Sequence, residues 1–161
     1  MLEVALAKAK SAHERLQRPL LIHDCGLCCA ALKDAPGPYT KYFNFSVGTE
    51  GLLALMRDQE DRRAGWDDAI VYIDENGHAH SFSSLDRYGY TGEISETGPT
   101  KYLRFEGPER AIGRCFVPTS FGLTECLADV SEEDYQRYRR DAPSVWNDFA
   151  AWYAARETET K

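Results

Sequence analysis

Apolar residues recur at three- and four-residue steps near the start of the chain: Leu2, Ala5, Leu6, Ala9, Ala12 and Leu16. Good helix formers fill the positions between, so the spacing predicts an amphipathic helix over residues 2–17, beginning at the first residue with no strand before it. Pro19 stops the helix, and the apolar run "LLI" predicts a short buried strand. After Gly26, "GLCCAALKD" suits a short helix, and Pro36, Gly37 and Pro38 mark a turn. Residues 48–57 predict another helix, capped by Thr49. The clearest element is a hairpin: "AIVYID" meets Asn76-Gly77, and "HAHSFSS" alternates on the return. "YTGEISE" predicts a third strand, while "KYLRFEGPERAIGRCFVPTSFG" reads as irregular. Ser131 is placed to cap a helix with Glu132 and Glu133 in its first turn, and Pro143 opens a second. Trp146, Phe149, Trp152 and Tyr153 follow helical spacing, as core or dimer contacts would. Strands and helices alternate, so the class is α/β or α+β.

Composition narrows this. A chain of 161 residues predicts one domain, here residues 1–155, with 156–161 a polar, frayed tail. The formal charge of −7 excludes binding of duplex nucleic acid through phosphate neutralisation. No run is apolar enough to span a membrane, and the N-terminus lacks a signal peptide's apolar centre, which predicts a cytoplasmic protein with no membrane partner. Its five cysteines are then expected reduced, and an odd count crowded at 25–29 does not form a disulfide framework.

The chemistry concentrates in "LLIHDCGLCC", residues 20–29. Cys25 and Cys28 form a CxxC between a strand and a helix, the setting of an activated dithiol. About 90 residues separate Cys28 from Pro118, against the compact unit such a redox site needs. His23, Cys25, Cys28 and Cys29 are soft ligands for zinc, but Cys115 and Cys126 stand apart and make no second ligand pair. Asp24, at the C-terminal end of the strand, sits where open α/β sheets build their sites. There it can hold a divalent cation or activate water, or it can simply cap a helix. The cysteines are then small packing residues.

Several ordered segments carry a resemblance. "RPLLIHDCGLCCAALKDAPGPYTKYF", "GTEGLLALM", "DRRAGWDDAIVYID", "GYTGEIS" and "FVPTSFGLT" follow one another as the corresponding blocks do in the Ham1/inosine triphosphate pyrophosphatase family. The resemblance covers roughly residues 3–125 and implies an α/β fold, a mixed central sheet flanked by helices, lacking the family's first strand, loop and helix. It implies Mg²⁺-dependent hydrolysis of non-canonical purine triphosphates (ITP, dITP, XTP) to the monophosphate and pyrophosphate, and a homodimer. Asp24 matches the family's general base and metal ligand. Lys8 and Lys41 match its phosphate-binding lysines, and Arg139 falls near its base-recognition motif. His23 stands where the family carries a second carboxylate, Glu3 is a partial substitute for a missing metal-binding Glu, and Glu133 stands where a phosphate-binding Lys is expected. The purine-reading motif is reduced to "AIGRCFVP".

Other readings stand beside these. Lys8 can be a solvated helix residue, and Lys41 a lysine lying over Tyr39, Tyr42 and Phe43. His78 and His80 share one strand face, expected to be exposed, and "YQRYRRD" is a solvated helix face. A member of the family that has lost catalysis would act as a nucleotide-binding or protein-interaction module.

Overall fold

The computed structural model describes residues 1–96 and 108–159. Its elements are helices α1 (Leu2–Leu16), α2 (Thr40–Ser46), α3 (Gly48–Met56), α4 (Ser84–Tyr88), α5 (Glu132–Asp141) and α6 (Val145–Glu159), and strands β1 (Leu20–Cys29), β2 (Arg63–Ile73), β3 (Ala79–Ser83), β4 (Gly92–Ile94) and β5 (Phe116–Val117). They build one mixed α/β fold around a five-stranded sheet of order β1-β2-β4-β5, with β3 also paired to β2. The pairings of β2 with β3, β2 with β4 and β4 with β5 are antiparallel. The chain divides into two compact units: residues 1–25, 67–88 and 143–161, and residues 26–66 and 89–142.

In the first unit, α1 forms where its apolar spacing predicts. Ala5 and Ala9 are fully buried and pack with Ala69, Val71 and Ile73 of β2, with Leu20 and Ile22 of β1 alongside. Alanines at these positions let the helix axis approach the strands closely. The Asn76-Gly77 hairpin is present with Ile73 opposite Ala79, and Gly77 takes the φ of +79° that the turn requires. Along β2 the side chains alternate, so Tyr72 points away from the Ala69–Val71–Ile73 face. It meets Phe149, Trp152 and Tyr153 of α6, while Phe82 and His80 of β3 meet Phe149 and Trp152. The helically spaced aromatics are thus packing residues on the sheet.

The second unit has the larger apolar core: Leu27, Cys29, Leu52, Met56, Ile94, Ile112 and Phe116 among others. Two buried polar residues of α2 tie it together. Thr40 Oγ1 accepts from the Leu27 amide at 2.9 Å, and Asn44 Oδ1 accepts from the Ile112 amide at 2.8 Å. Gly92 is required where β4 meets β5: a Cβ there would lie 2.1 Å from the Val117 carbonyl oxygen.

Several local expectations change. Residues 26–29 continue β1 instead of starting a helix, because Leu27 and Cys29 fill the core of the second unit. A 3-10 turn, Ala30–Leu32, follows. Helix α2 had no clear period in the sequence. Val47, not Thr49, stands at the N-cap of α3 with helical φ and ψ, since the chain enters directly from α2 and leaves no extended cap position. The region read as irregular contains a 3-10 stretch, Pro108–Cys115, and β5; residues 97–107 lie outside the described ones. Ser131 does cap α5, accepting from the Asp134 amide. The expected tail is helical as far as Glu159, within α6.

Candidate active site

Strand alternation sorts the opening motif onto two faces. Leu20, Ile22 and Asp24 share the face that α1 covers, and His23 and Cys25 share the other. Asp24 therefore meets α1. Lys8 Nζ donates to Asp24 Oδ1 at 2.7 Å and lies 2.7 Å from Oδ2. The carboxylate side chain is 19% exposed and the lysine 55%. Asp24 Oδ2 is enclosed, with the Lys8 ammonium as its close neighbour. Asp24 is mid-strand, neither at a strand end nor capping a helix, which corrects both sequence expectations.

His23 follows from the same alternation. It points to the opposite face, where Nε2 lies 2.8 Å from Asp68 Oδ1 and the ring sits 5.0 Å from that of Trp146. A residue on this face cannot serve as a second ligand beside Asp24. The sequence alone does not single out Asp68, which "GWDDAIV" sets one position from the buried Asp67.

The described residues do not fit a metal held by the protein alone. Glu3 is exposed in the first turn of α1, five positions before Lys8, which turns it about 140° away around the helix. Among the described residues no group of three or more His, Cys, Asp or Glu is gathered that could hold an ion. That also removes the zinc reading for those residues. The redox reading fails on geometry. In a strand, Cys25 and Cys28 point to opposite faces about 10 Å apart, too far for a disulfide. Burial pushes the Cys29 and Cys115 thiols up to about 12 and Cys126 to about 11, so these stay protonated.

Lys41 on α2 and Arg139 on α5 belong to the second unit, and both are exposed. Beside Arg139, Arg137 pairs with Asp134 and Arg140 with Asp141, each at 2.8 Å, as a solvated helix face does. His80 is not simply exposed as expected. Its Nε2 lies 3.0 Å from Asp74 Oδ2 and its ring packs on Trp152 at 4.5 Å. With backbone bonds from His78 and Asn76 added, the Asp74 carboxyl is lowered to about 2.

A five-stranded sheet with antiparallel β2–β3, β2–β4 and β4–β5 pairings and a lysine-held carboxylate under its first helix defines an α/β protein with a strand aspartate as its candidate acceptor. The chain belongs to the Ham1 family, whose model matches residues 1–101. It is 40% identical over 151 residues to the dITP/XTP pyrophosphatase of Methanothermobacter marburgensis, a match covering 94% of this chain and 74% of that protein. It is 47% identical over 75 residues to the dITP/XTP pyrophosphatase of Ignicoccus hospitalis, covering 46% of this chain and 40% of that one. The chain thus spans less than half of the length of the latter relative. In structure it is similar to the nucleoside-triphosphatase (dITP/XTP pyrophosphatase) of Mycobacterium abscessus, with a TM-score of 0.70 at 20% identity over 94% of this chain and 75% of that one. At that identity the likeness establishes the fold. Among the described residues, no helix is long and apolar enough to cross a membrane.

Proposed function

We propose that this chain hydrolyses non-canonical purine nucleoside triphosphates to the monophosphate and pyrophosphate. The observation that carries the reading is the Lys8–Asp24 pair, in a chain of the Ham1 family. In the reaction a water oxygen bonds to the α-phosphorus. Its proton passes to Asp24, and the bond from the α-phosphorus to the bridging oxygen breaks to release pyrophosphate. Lys8 orients the carboxylate and stabilises charge on the phosphates as a mobile point cation. Lys41 is assigned to phosphate and Arg139 to the base, both by family resemblance. The magnesium ion is part of the substrate: the triphosphate enters as its Mg²⁺ complex, since Mg²⁺ is commonly held by one carboxylate plus phosphates and water. Glu3 contributes at most through the substrate-bound ion. The working compartment is the cytoplasm. The working form is a homodimer, which the exposed Tyr39, Tyr42 and Phe45 side chains at α2 support.

Pyrophosphate release from ITP, dITP and XTP, set against the ordinary triphosphates with Mg²⁺, tests this. Turnover that favours the non-canonical bases and collapses in Asp24→Asn supports it. No turnover, or turnover unchanged in Asp24→Asn, sinks it. A second reading, a nucleotide-binding module without catalysis, is favoured by the ammonium lying against both Asp24 oxygens. Calorimetric binding of ITP without pyrophosphate release distinguishes it.

A further inference from the structure

The two halves of the Lys8–Asp24 pair differ in freedom. Asp24 is fixed in the middle of β1, and its side chain is 19% exposed. Lys8 projects from α1 on a flexible four-carbon stem, and its side chain is 55% exposed. When the pair opens, the lysine is therefore the partner that moves. The closed pair is a poor arrangement for taking a proton from water. One ammonium lies 2.7 Å from Oδ1 and 2.7 Å from Oδ2, and Oδ2 is enclosed. An ionised carboxylate only accepts hydrogen bonds, and here a single strong donor stands against both of its oxygens. A base must lie within hydrogen-bond reach of the proton it takes, and the ammonium fills that reach at the enclosed oxygen.

Opening the pair costs little. A partly exposed ion pair is held weakly, because water competes for both charges. A polyphosphate brings several negative charges against the single one of Asp24, so it competes well for the same ammonium. A ligand shifts such an equilibrium only through its different affinity for the two states. The open state offers the polyphosphate a free ammonium, whereas the closed state offers one already neutralised by Asp24.

We propose that the Lys8–Asp24 pair is a substrate-released latch: a polyphosphate draws the ammonium off the carboxylate, and only then is Asp24 free to act. Reading the polyphosphate as a nucleotide's, and the freed carboxylate as the base, rests on the hydrolytic reading above. The exchange of partners is separately testable. The side-chain carboxyl carbon of Asp24 is followed by carbon-13 NMR in the full chain, its signal assigned by its loss in Asp24→Asn. Inorganic tripolyphosphate is added without divalent metal until calorimetry shows saturation. The wild-type signal is expected to move more than about half of the way toward its position in ligand-free Lys8→Met. In Lys8→Met the same addition should move it less than about a tenth as far. A second measurement needs no variant: the Lys8 Cε signal should move with the same midpoint as that of Asp24. The latch is overturned if the wild type does not bind tripolyphosphate, or if its Asp24 signal stays in place at saturation. Equal movement in Lys8→Met, or different midpoints for the two residues, overturns it as well. Exchange without pyrophosphate release from any triphosphate upholds the exchange and refutes the hydrolytic reading. Pyrophosphate release that depends on Asp24, with its signal unmoved by tripolyphosphate, overturns the latch and leaves that reading standing.

Discussion

The two units are stabilised by different means. The first packs small side chains, Ala5, Ala9, Ala69 and Val71, on one sheet face and an aromatic helix on the other. It carries the ion pairs Lys8–Asp24, Arg87–Asp148 and Arg156–Glu75 and the His23–Asp68 contact, while the second carries Arg63–Asp61, Arg137–Asp134 and Arg140–Asp141 on its surface. The second closes around large apolar residues and protonated thiols, with its buried amides tied by Thr40 and Asn44. The candidate Lys8–Asp24 pair thus lies in the unit whose packing uses smaller side chains. Fold stability concentrates where apolar volume is largest.

The largest effect expected is on activity. Asp24→Asn should lower kcat about a thousandfold, about 4 kcal/mol of barrier, because the amide cannot take the water proton. Denaturant unfolding of the same variant should show the second unit's stability untouched. A loss of activity that merely follows unfolding would break the contrast between the units.

Next come the cores. Phe116→Ala removes a fully buried ring from the second unit and should cost about 3–5 kcal/mol in denaturant unfolding. Val71→Ala, also fully buried but in the small-residue face of the first, should cost about 1–2 kcal/mol. Equal costs would mean that the two cores are not graded in this way.

The acid limb of stability should follow the first unit. Asp74, bonded by His80 and by the His78 and Asn76 amides with Arg156 3.5 Å away, is lowered from 3.8 to about 2. Between those values the unfolded chain binds the proton and the folded one does not. The stabilisation is therefore full above about pH 4 and fades as pH falls through about 2. Thermal melts of Asp74→Asn between pH 6 and 2 should fall less steeply than those of the wild type. A parallel fall in both would show that other carboxylates govern acid unfolding.

The smallest perturbation is labelling. Cys25 is exposed on the first unit's strand, whereas Cys28, Cys29, Cys115 and Cys126 are buried in the second. Brief alkylation at pH 8 should mark Cys25 alone, as peptide mass mapping would show, and all five only after denaturation. Labelling of Cys115 or Cys126 in the native protein would reveal that the second core opens readily.

Much of this was legible in the chain. The α1 stripe, the Asn76-Gly77 hairpin and the Ser131 cap each depend on residues within a few positions of one another, and each formed as the local pattern predicts. The family's ordered blocks singled out Lys8 and Asp24 separately, and only the structure brings these residues, sixteen positions apart, into a pair. What the sequence could not settle was the state of residues 26–29. A short apolar run satisfies helix and strand alike, and the burial of Leu27 and Cys29 in a core assembled from distant segments decided for the strand. That single choice had wide consequences. It carried β1 through Asp24, separated Cys25 from Cys28, and turned His23 away from Asp24 to meet Asp68. The sequence by itself determined the elements with strong local periods and singled out Asp24 as the candidate carboxylate. The tertiary structure decided which side chains share a face, because strand alternation acts only once long-range pairing has fixed where the strand begins and ends.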